Sequence, residues 1–413
     1  MTRGHALGDG SVRVVAQFLE GGAASAAIDP DAAVACLRRA AGIAPVSDLC
    51  LGWNLPQALI DAVGDEARRL GQRLWLWQPL LSGDGEFVPR ADAAVGPRGV
   101  PIPWPRGMAE FAFDCPVRRS GLDAALARLE AAIDRGPWDG VLLDKIRWPS
   151  PTRDPAADLA CFCHDCGREA SSAGIDLTAV AEHLDRGAAD ASARTGLLRE
   201  LLGITESEPL GSFMRWRARR ITDAVIEAVR LAQARRTPGN APLRVALDVF
   251  APSLARLVGQ DITALATLGE LTKAMLYLGT HGPAGLPYEL CALATWLAEG
   301  DMHEPAGLLS ETLGITLPSP TRICEGTLEL EVFATELERL SRLAGDRAGA
   351  GIDAIELPDV ALLDDATLGG VVQMAVSAGV TPVLSWDLWA IPPRRLETVA
   401  RAIQVASTVG AAS

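Results

Sequence analysis

Eight short apolar runs divide the chain: Val12–Leu19, Val46–Trp53, Arg73–Pro79, Gly140–Lys145, Leu243–Phe250, Leu271–Leu278, Gly351–Leu357 and Thr381–Trp386. Between most of them lie segments with helical periodicity, namely Asp29–Ala41, Leu55–Leu70, Gly121–Arg135, Gly211–Arg235, Leu254–Leu268, Gly326–Ala344 and Leu362–Ala378. A short, continuously apolar run suits a strand buried on both faces, and such strands belong to parallel sheets covered by helices. Strand and helix repeated eight times predict a (β/α)8 barrel, the TIM-barrel fold. A doubly wound open sheet is the rival. It would carry a G-x-G-x-x-G turn after its first strand, and the residues there are Phe18-Leu-Glu-Gly-Gly-Ala-Ala-Ser-Ala-Ala.

Local signals agree with this division. Asp29-Pro30 reads as a helix cap with proline in the first turn, and Gly71 closes the helix before the third strand. Residues 1–413 are expected to form one barrel domain. Three connections are too long for plain loops: the third-to-fourth link with Gly83-Asp-Gly and the proline-rich stretch 96–107, an insertion over 150–210, and the sixth-to-seventh link with helices near Leu290–Glu299 and Pro305–Gly314. The insertion carries clustered cysteines and a helical piece. In barrels, the loops after the strands build the site, so these excursions should crowd the functional face.

Composition narrows the partners. A net charge of −14 and a pI near 4.9 argue against nucleic acid or an anionic membrane and suit a neutral or cationic ligand. The amino terminus does not resemble a signal peptide, and no apolar run approaches the roughly 18 residues of a membrane span. A cytoplasmic protein is expected, with its cysteines as thiols or metal ligands. Cys36, Cys291 and Cys324, in helical apolar contexts, read as small buried hydrophobes. Only two lysines occur, Lys145 and Lys273, both in predicted strands, against 36 arginines among 38 basic residues.

Chemistry gathers where the runs end. Glu20 follows the first; Trp53 and Asn54 the second; Trp77 lies in the third; Asp144, Lys145, Arg147 and Trp148 end the fourth. Asp248 ends the fifth, Tyr277 and His281 follow the sixth, Glu356 the seventh, and Trp386 and Asp387 the eighth. Aromatics make up 5% of the chain, yet both tyrosines and many tryptophans sit near these ends. Ring faces stack on the C–H faces of sugars while carboxylates, Asn and Arg bond hydroxyls, so the set suggests a carbohydrate-sized polyol. Glycosidic cleavage needs a proton donor and a second carboxylate as nucleophile or base. Asp144 shares the inward face of Leu142 and is the first candidate, Glu356 its partner and Asp248 the reserve.

Asp139-Gly-Val-Leu-Leu-Asp-Lys-Ile-Arg-Trp-Pro resembles the fourth-strand motif D-G-(apolar)3-D-x-(I/V)-R-(aromatic)-P of the glycoside hydrolase-like TIM barrels, a loose group of largely uncharacterised proteins. Cys161-Phe-Cys-His-Asp-Cys is similar to the C-(aromatic)-C-x-x-C segment of several members, and Phe213-Met-Arg-Trp-Arg-Ala-Arg-Arg-Ile-Thr to their helix before strand five. The likeness covers roughly residues 110–290. It implies a barrel of carbohydrate-active ancestry with Asp144 in the site, and no particular substrate. Lys145 stands where many relatives have Tyr.

Cys161, Cys163 and Cys166 are close enough to wrap one zinc, and Cys115 is the candidate fourth ligand, with His164 and His183 as alternatives. Such a zinc would be structural, pinning the loop beside Asp144, and no organic cofactor is implied. The expected function is a glycosidase acting on a small glycoside or oligosaccharide. The alternatives are a non-catalytic carbohydrate-binding barrel and, last, a metal-dependent hydrolase, which would need strand-end histidines where only His281 qualifies.

Overall fold

The structure, a computed structural model, describes residues 12–82, 93–105, 108, 111–299 and 304–411. The amino-terminal residues read for a signal peptide and the Gly83-Asp-Gly segment lie outside them. Eight parallel strands close into a barrel in sequence order. They are β1 Val15–Phe18, β2 Asp48–Leu51, β3 Arg73–Pro79, β4 Gly140–Asp144, β5 Arg244–Val249, β6 Leu271–Met275, β7 Ala348–Asp353 and β8 Thr381–Ser385. β1 pairs with both β2 and β8, which completes the ring. This is the TIM-barrel architecture, with helices between the strands.

Alternation along each strand sorts side chains into two cores. Val15, Cys50, Trp75, Leu142, Ala246, Leu271 and Val383 fill the barrel interior. Their neighbours Ala16, Leu49, Leu74, Val141, Leu247 and Ala274 face outward under the helices. Each large apolar side chain so buried contributes about 1.5–3 kcal/mol. The floor is polar: Asp48 accepts from Arg13, from Arg73 at 2.7 Å and from Trp75 Nε1 at 2.8 Å. Burial pushes the Asp48 carboxyl up, and Arg13 and Arg73 more than reverse it.

Two predicted elements differ. The seventh apolar run, Gly351–Leu357, starts three residues late: β7 spans Ala348–Asp353, because its first four residues, Ala-Gly-Ala-Gly, carry little apolar signal. Their smallness has a spatial cause: a Cβ on Gly351 would come within 2.6 Å of Lys273 Cε. The predicted helix Leu254–Leu268 is two short pieces, Ala255–Val258 and Ile262–Ala266, broken where Gly259 takes a left-handed φ of 71°. Between β4 and β5 stand the helices His164–Ser172, Leu177–Gly187, Ala191–Leu201 and Leu210–Gln233.

Candidate functional site

The strand ends surround a cavity of about 360 Å3 whose lining includes Gln17, Glu20, Trp53, Trp77, Phe111, Asp144, Lys145, Arg147, Asp248, Lys273, Tyr277 and Trp386. A space of this size suits a small polar ligand gripped by aromatic walls. Trp53 meets Trp77 edge to face at 5.2 Å, and Tyr277 lies 6.0 Å from Trp386.

Asp144 terminates β4, two residues after inward-facing Leu142, so the pleat carries it into the cavity. Its Oδ2 accepts from Trp77 Nε1 at 3.0 Å and its Oδ1 from the Lys145 amide. Lys145 follows in the left-handed region, φ 51°, a backbone that costs a side-chain-bearing residue about 1–2 kcal/mol. That turn sets its ammonium 4.6 Å from the Phe111 ring and 5.5 Å from Trp53.

Asp248 and Lys273 are cross-strand partners on β5 and β6. Lys273 Nζ donates to Asp248 Oδ2 at 2.6 Å, to Tyr277 Oη at 2.7 Å and to Gln17 Oε1 at 3.2 Å. Burial pushes the Asp248 carboxyl up to about 7, with Lys273 working against it. Gln17 Nε2, Trp53 Nε1 and Asp248 Oδ1 are buried with no hydrogen-bond partner among the described residues. Buried polar groups are rarely left so, and these three present donors and an acceptor to whatever fills the space.

Several sequence candidates lie elsewhere. Glu356 is exposed and paired with Arg394, three residues beyond the end of β7, and does not line the cavity, so the expected Asp144–Glu356 pair does not meet there; the acids that line it are Glu20, Asp144 and Asp248. The strand-seven carboxylate that is buried, Asp353, instead accepts from the Gly279 amide and Thr280 Oγ1. Asn54 is exposed, and Trp148 sits in the core with its Nε1 on the Arg217 carbonyl. Asp387 accepts from the amides of Leu19 and Trp389. His281 bonds the Gly326 carbonyl and lines a neighbouring chamber. Sequence reasoning missed Gln17 and Phe111, which carry no motif, and left Lys273 without a role. Its signal was rarity: both lysines of the chain line this cavity.

The Cys115, Cys161, Cys163 and Cys166 sulfurs all lie within 4.8 Å of one another, buried, a cluster that could hold a metal ion. Cys115 Sγ is 3.4 Å from Cys166 and 3.8 Å from Cys163, near the about 3.8 Å edge of a tetrahedron with 2.3 Å metal–sulfur bonds. The Cys163 and Cys161 sulfurs accept from the Cys166 and Val95 amides. His164 is exposed and His183 bonds Glu200, so neither histidine joins them. Cys291 and Cys324, read from sequence as unpaired hydrophobes, are joined in a disulfide. Oxidising settings favour that bond, which removes the cysteine argument for a cytoplasmic home. No helix among the described residues is long and apolar enough to cross a membrane.

No protein-family model matches the sequence, and no curated protein does. Solved structures do match in fold. The glycoside hydrolase domain of PgaB (BpsB) from Bordetella bronchiseptica superposes with a TM-score of 0.57 at 13% identity, covering 94% of this chain and 98% of that one. The β-galactosidase from Rahnella sp. R3 gives 0.52 at 11%, and α-L-fucosidase isoenzyme 2 from Paenibacillus thiaminolyticus 0.51 at 10%. This chain covers 100% and 97% of its own length in those matches but spans 58% and 50% of theirs. In fold, this barrel is similar to the barrels of those three enzymes.

Proposed function

We propose that this barrel hydrolyses a glycosidic bond, with Asp144 and Asp248 as its carboxylate pair. The observation that carries the proposal is their convergence on one tryptophan-walled cavity that also holds unpartnered polar groups. Asp248, able to hold a proton up to about pH 7, is the donor: its Oδ1–H passes to the glycosidic oxygen as the bond to the anomeric carbon breaks. Asp144, accepting on both oxygens, faces the anomeric carbon as nucleophile or as base for water. Glu20, Gln17, Lys145 and Arg147 grip hydroxyls while Trp53, Trp77, Tyr277 and Trp386 stack on the ring. A non-catalytic sugar-binding barrel is the second reading, favoured by the Lys273 contact that ties down one oxygen of Asp248.

We assign zinc to the four cysteines. Four thiolates complete a tetrahedron and leave no open position, so the metal's part is to pin the segment that follows β4. A panel of aryl glycosides tests the hydrolase: Asp144→Asn and Asp248→Asn should each lower kcat about 10²–10⁴-fold. Full turnover in Asp144→Asn would overturn the assignment, and no turnover by the wild type on any member would leave the sugar-binding barrel.

A further inference from the structure

A second chamber of about 530 Å3 adjoins the first, and Phe111, Arg147 and Pro283 line both. It carries its own aromatics, Trp104, Phe113 and Tyr288, and one side is formed by the disulfide-linked residues Cys291 and Cys324. Glu289 holds this wall in place, accepting from the Ala284 amide, Ser150 Oγ and Thr152 Oγ1, so it anchors the segment after β4 to the helix Leu286–Ala298.

Arg147, on the shared wall, is 3% exposed. Its guanidinium lies between two rings, 4.3 Å from Phe113 and 4.5 Å from Phe250. A guanidinium has five N–H donors in a planar fork, and among the described residues this one donates only to the Trp148 carbonyl. Among the described residues no carboxylate lies within ion-pair distance of it: Glu289 is engaged as above, Asp144 by Trp77 and the Lys145 amide, and one oxygen of Asp248 by Lys273, so these three act on it only from a distance. Burying a cation without a counter-ion in direct contact is costly, whereas a bidentate carboxylate or sulfate would satisfy both its charge and its fork. Burial brings Arg147 down to about 10, which leaves it charged at neutral pH.

We infer that the substrate is an acidic glycan whose anionic group, a uronate carboxylate or a sulfate ester, docks on Arg147 while its neighbouring units occupy the two chambers. The inference rests on the glycosidase reading for its sugar chemistry and adds the charge and the length. It also reverses, locally, the expectation of a neutral or cationic ligand. Net charge describes the whole surface; inside this cavity Lys145, Arg147 and Lys273 balance Glu20, Asp144 and Asp248, and the unpaired fork of Arg147 gives an anion its place.

Monosaccharides have no bond to cleave, so their binding separates this inference from the hydrolysis. Titration calorimetry would compare glucuronate, galacturonate and mannuronate, and the corresponding 6-sulfated hexoses, with the neutral parent sugars. At least one acidic member should bind about tenfold tighter than its parent, an advantage lost in Arg147→Met and reduced in Arg147→Lys, which keeps the charge without the fork. Whether the uronates or the sulfates hold the advantage decides between the two anions. Oligomers of the preferred unit should bind tighter than the monomer, and Tyr288→Ala should remove that gain alone. The inference fails if no acidic sugar exceeds its neutral parent, or if the advantage survives in folded Arg147→Met. Acidic-sugar binding without turnover of any glycoside would sink the hydrolase and leave the acidic-sugar site on Arg147 standing in a binding barrel.

Discussion

Replacing Lys273 with methionine removes the one cation bonded to Asp248 among the described residues and keeps most of the volume. Both side chains are at most 2% exposed, so solvent cannot substitute for the lost partner. In the wild type the Asp248 carboxyl is raised in the fold from 3.8 to about 7. A folded acid that holds its proton above its unfolded range loses stability as pH rises through that window, here on the order of 4 kcal/mol at about 1.4 kcal/mol per pH unit. Without Lys273 nothing nearby offsets burial to the same degree, so the carboxyl rises further and the destabilising window extends above pH 7. At pH 5.5 the carboxyl is neutral with or without the lysine, and the variant loses at most about 1–3 kcal/mol from unmade hydrogen bonds. At pH 8.5 it loses about 3–5 kcal/mol, the cost of a buried charge stripped of its partner. Urea unfolding followed by circular dichroism at the two pH values measures both numbers. Equal losses at pH 5.5 and 8.5 would refute the ion pair as drawn.

Four further outcomes follow from the same geometry. The kcat/KM profile should fall on an alkaline limb near pH 7 set by Asp248, and its absence would remove that residue from acid catalysis. Glu356→Gln should leave turnover unchanged, since it breaks only an exposed pair with Arg394. Elemental analysis should find one zinc per chain, lost with a fall in Tm in Cys115→Ser; a metal-free wild type of equal Tm would refute the site. Thiol titration of the denatured, unreduced protein should count six of eight cysteines, and Cys291→Ser should destabilise by roughly 3–4 kcal/mol for a separation of 33 residues.

The architecture was legible because it is repeated. Eight apolar runs with helical periods between them leave few folds that bury every run, and β3 fell on its predicted residues, Arg73–Pro79. Asp144 was legible for a local reason, since the two-residue period ties its direction to that of Leu142. Three thiols within six residues of one another spoke for themselves. What the chain alone determined, then, was everything whose cause lies within a few neighbouring positions.

Tertiary structure decided the rest. Glu356 looked equivalent to Asp144, but β7 ends three residues before it, because the small residues that make room for Lys273 hide the true strand from a hydrophobicity pattern. The disulfide joins two helices 33 residues apart, and proximity across such a gap is a property of the packed fold. Arg147 is polar in the sequence and buried in the barrel. Only the positions of Phe113 and Phe250, brought from opposite ends of two other connections, show that a guanidinium stands there with its fork unfilled. Burial, pairing and shared walls are relations between distant segments, and a linear chain carries no distance except along itself.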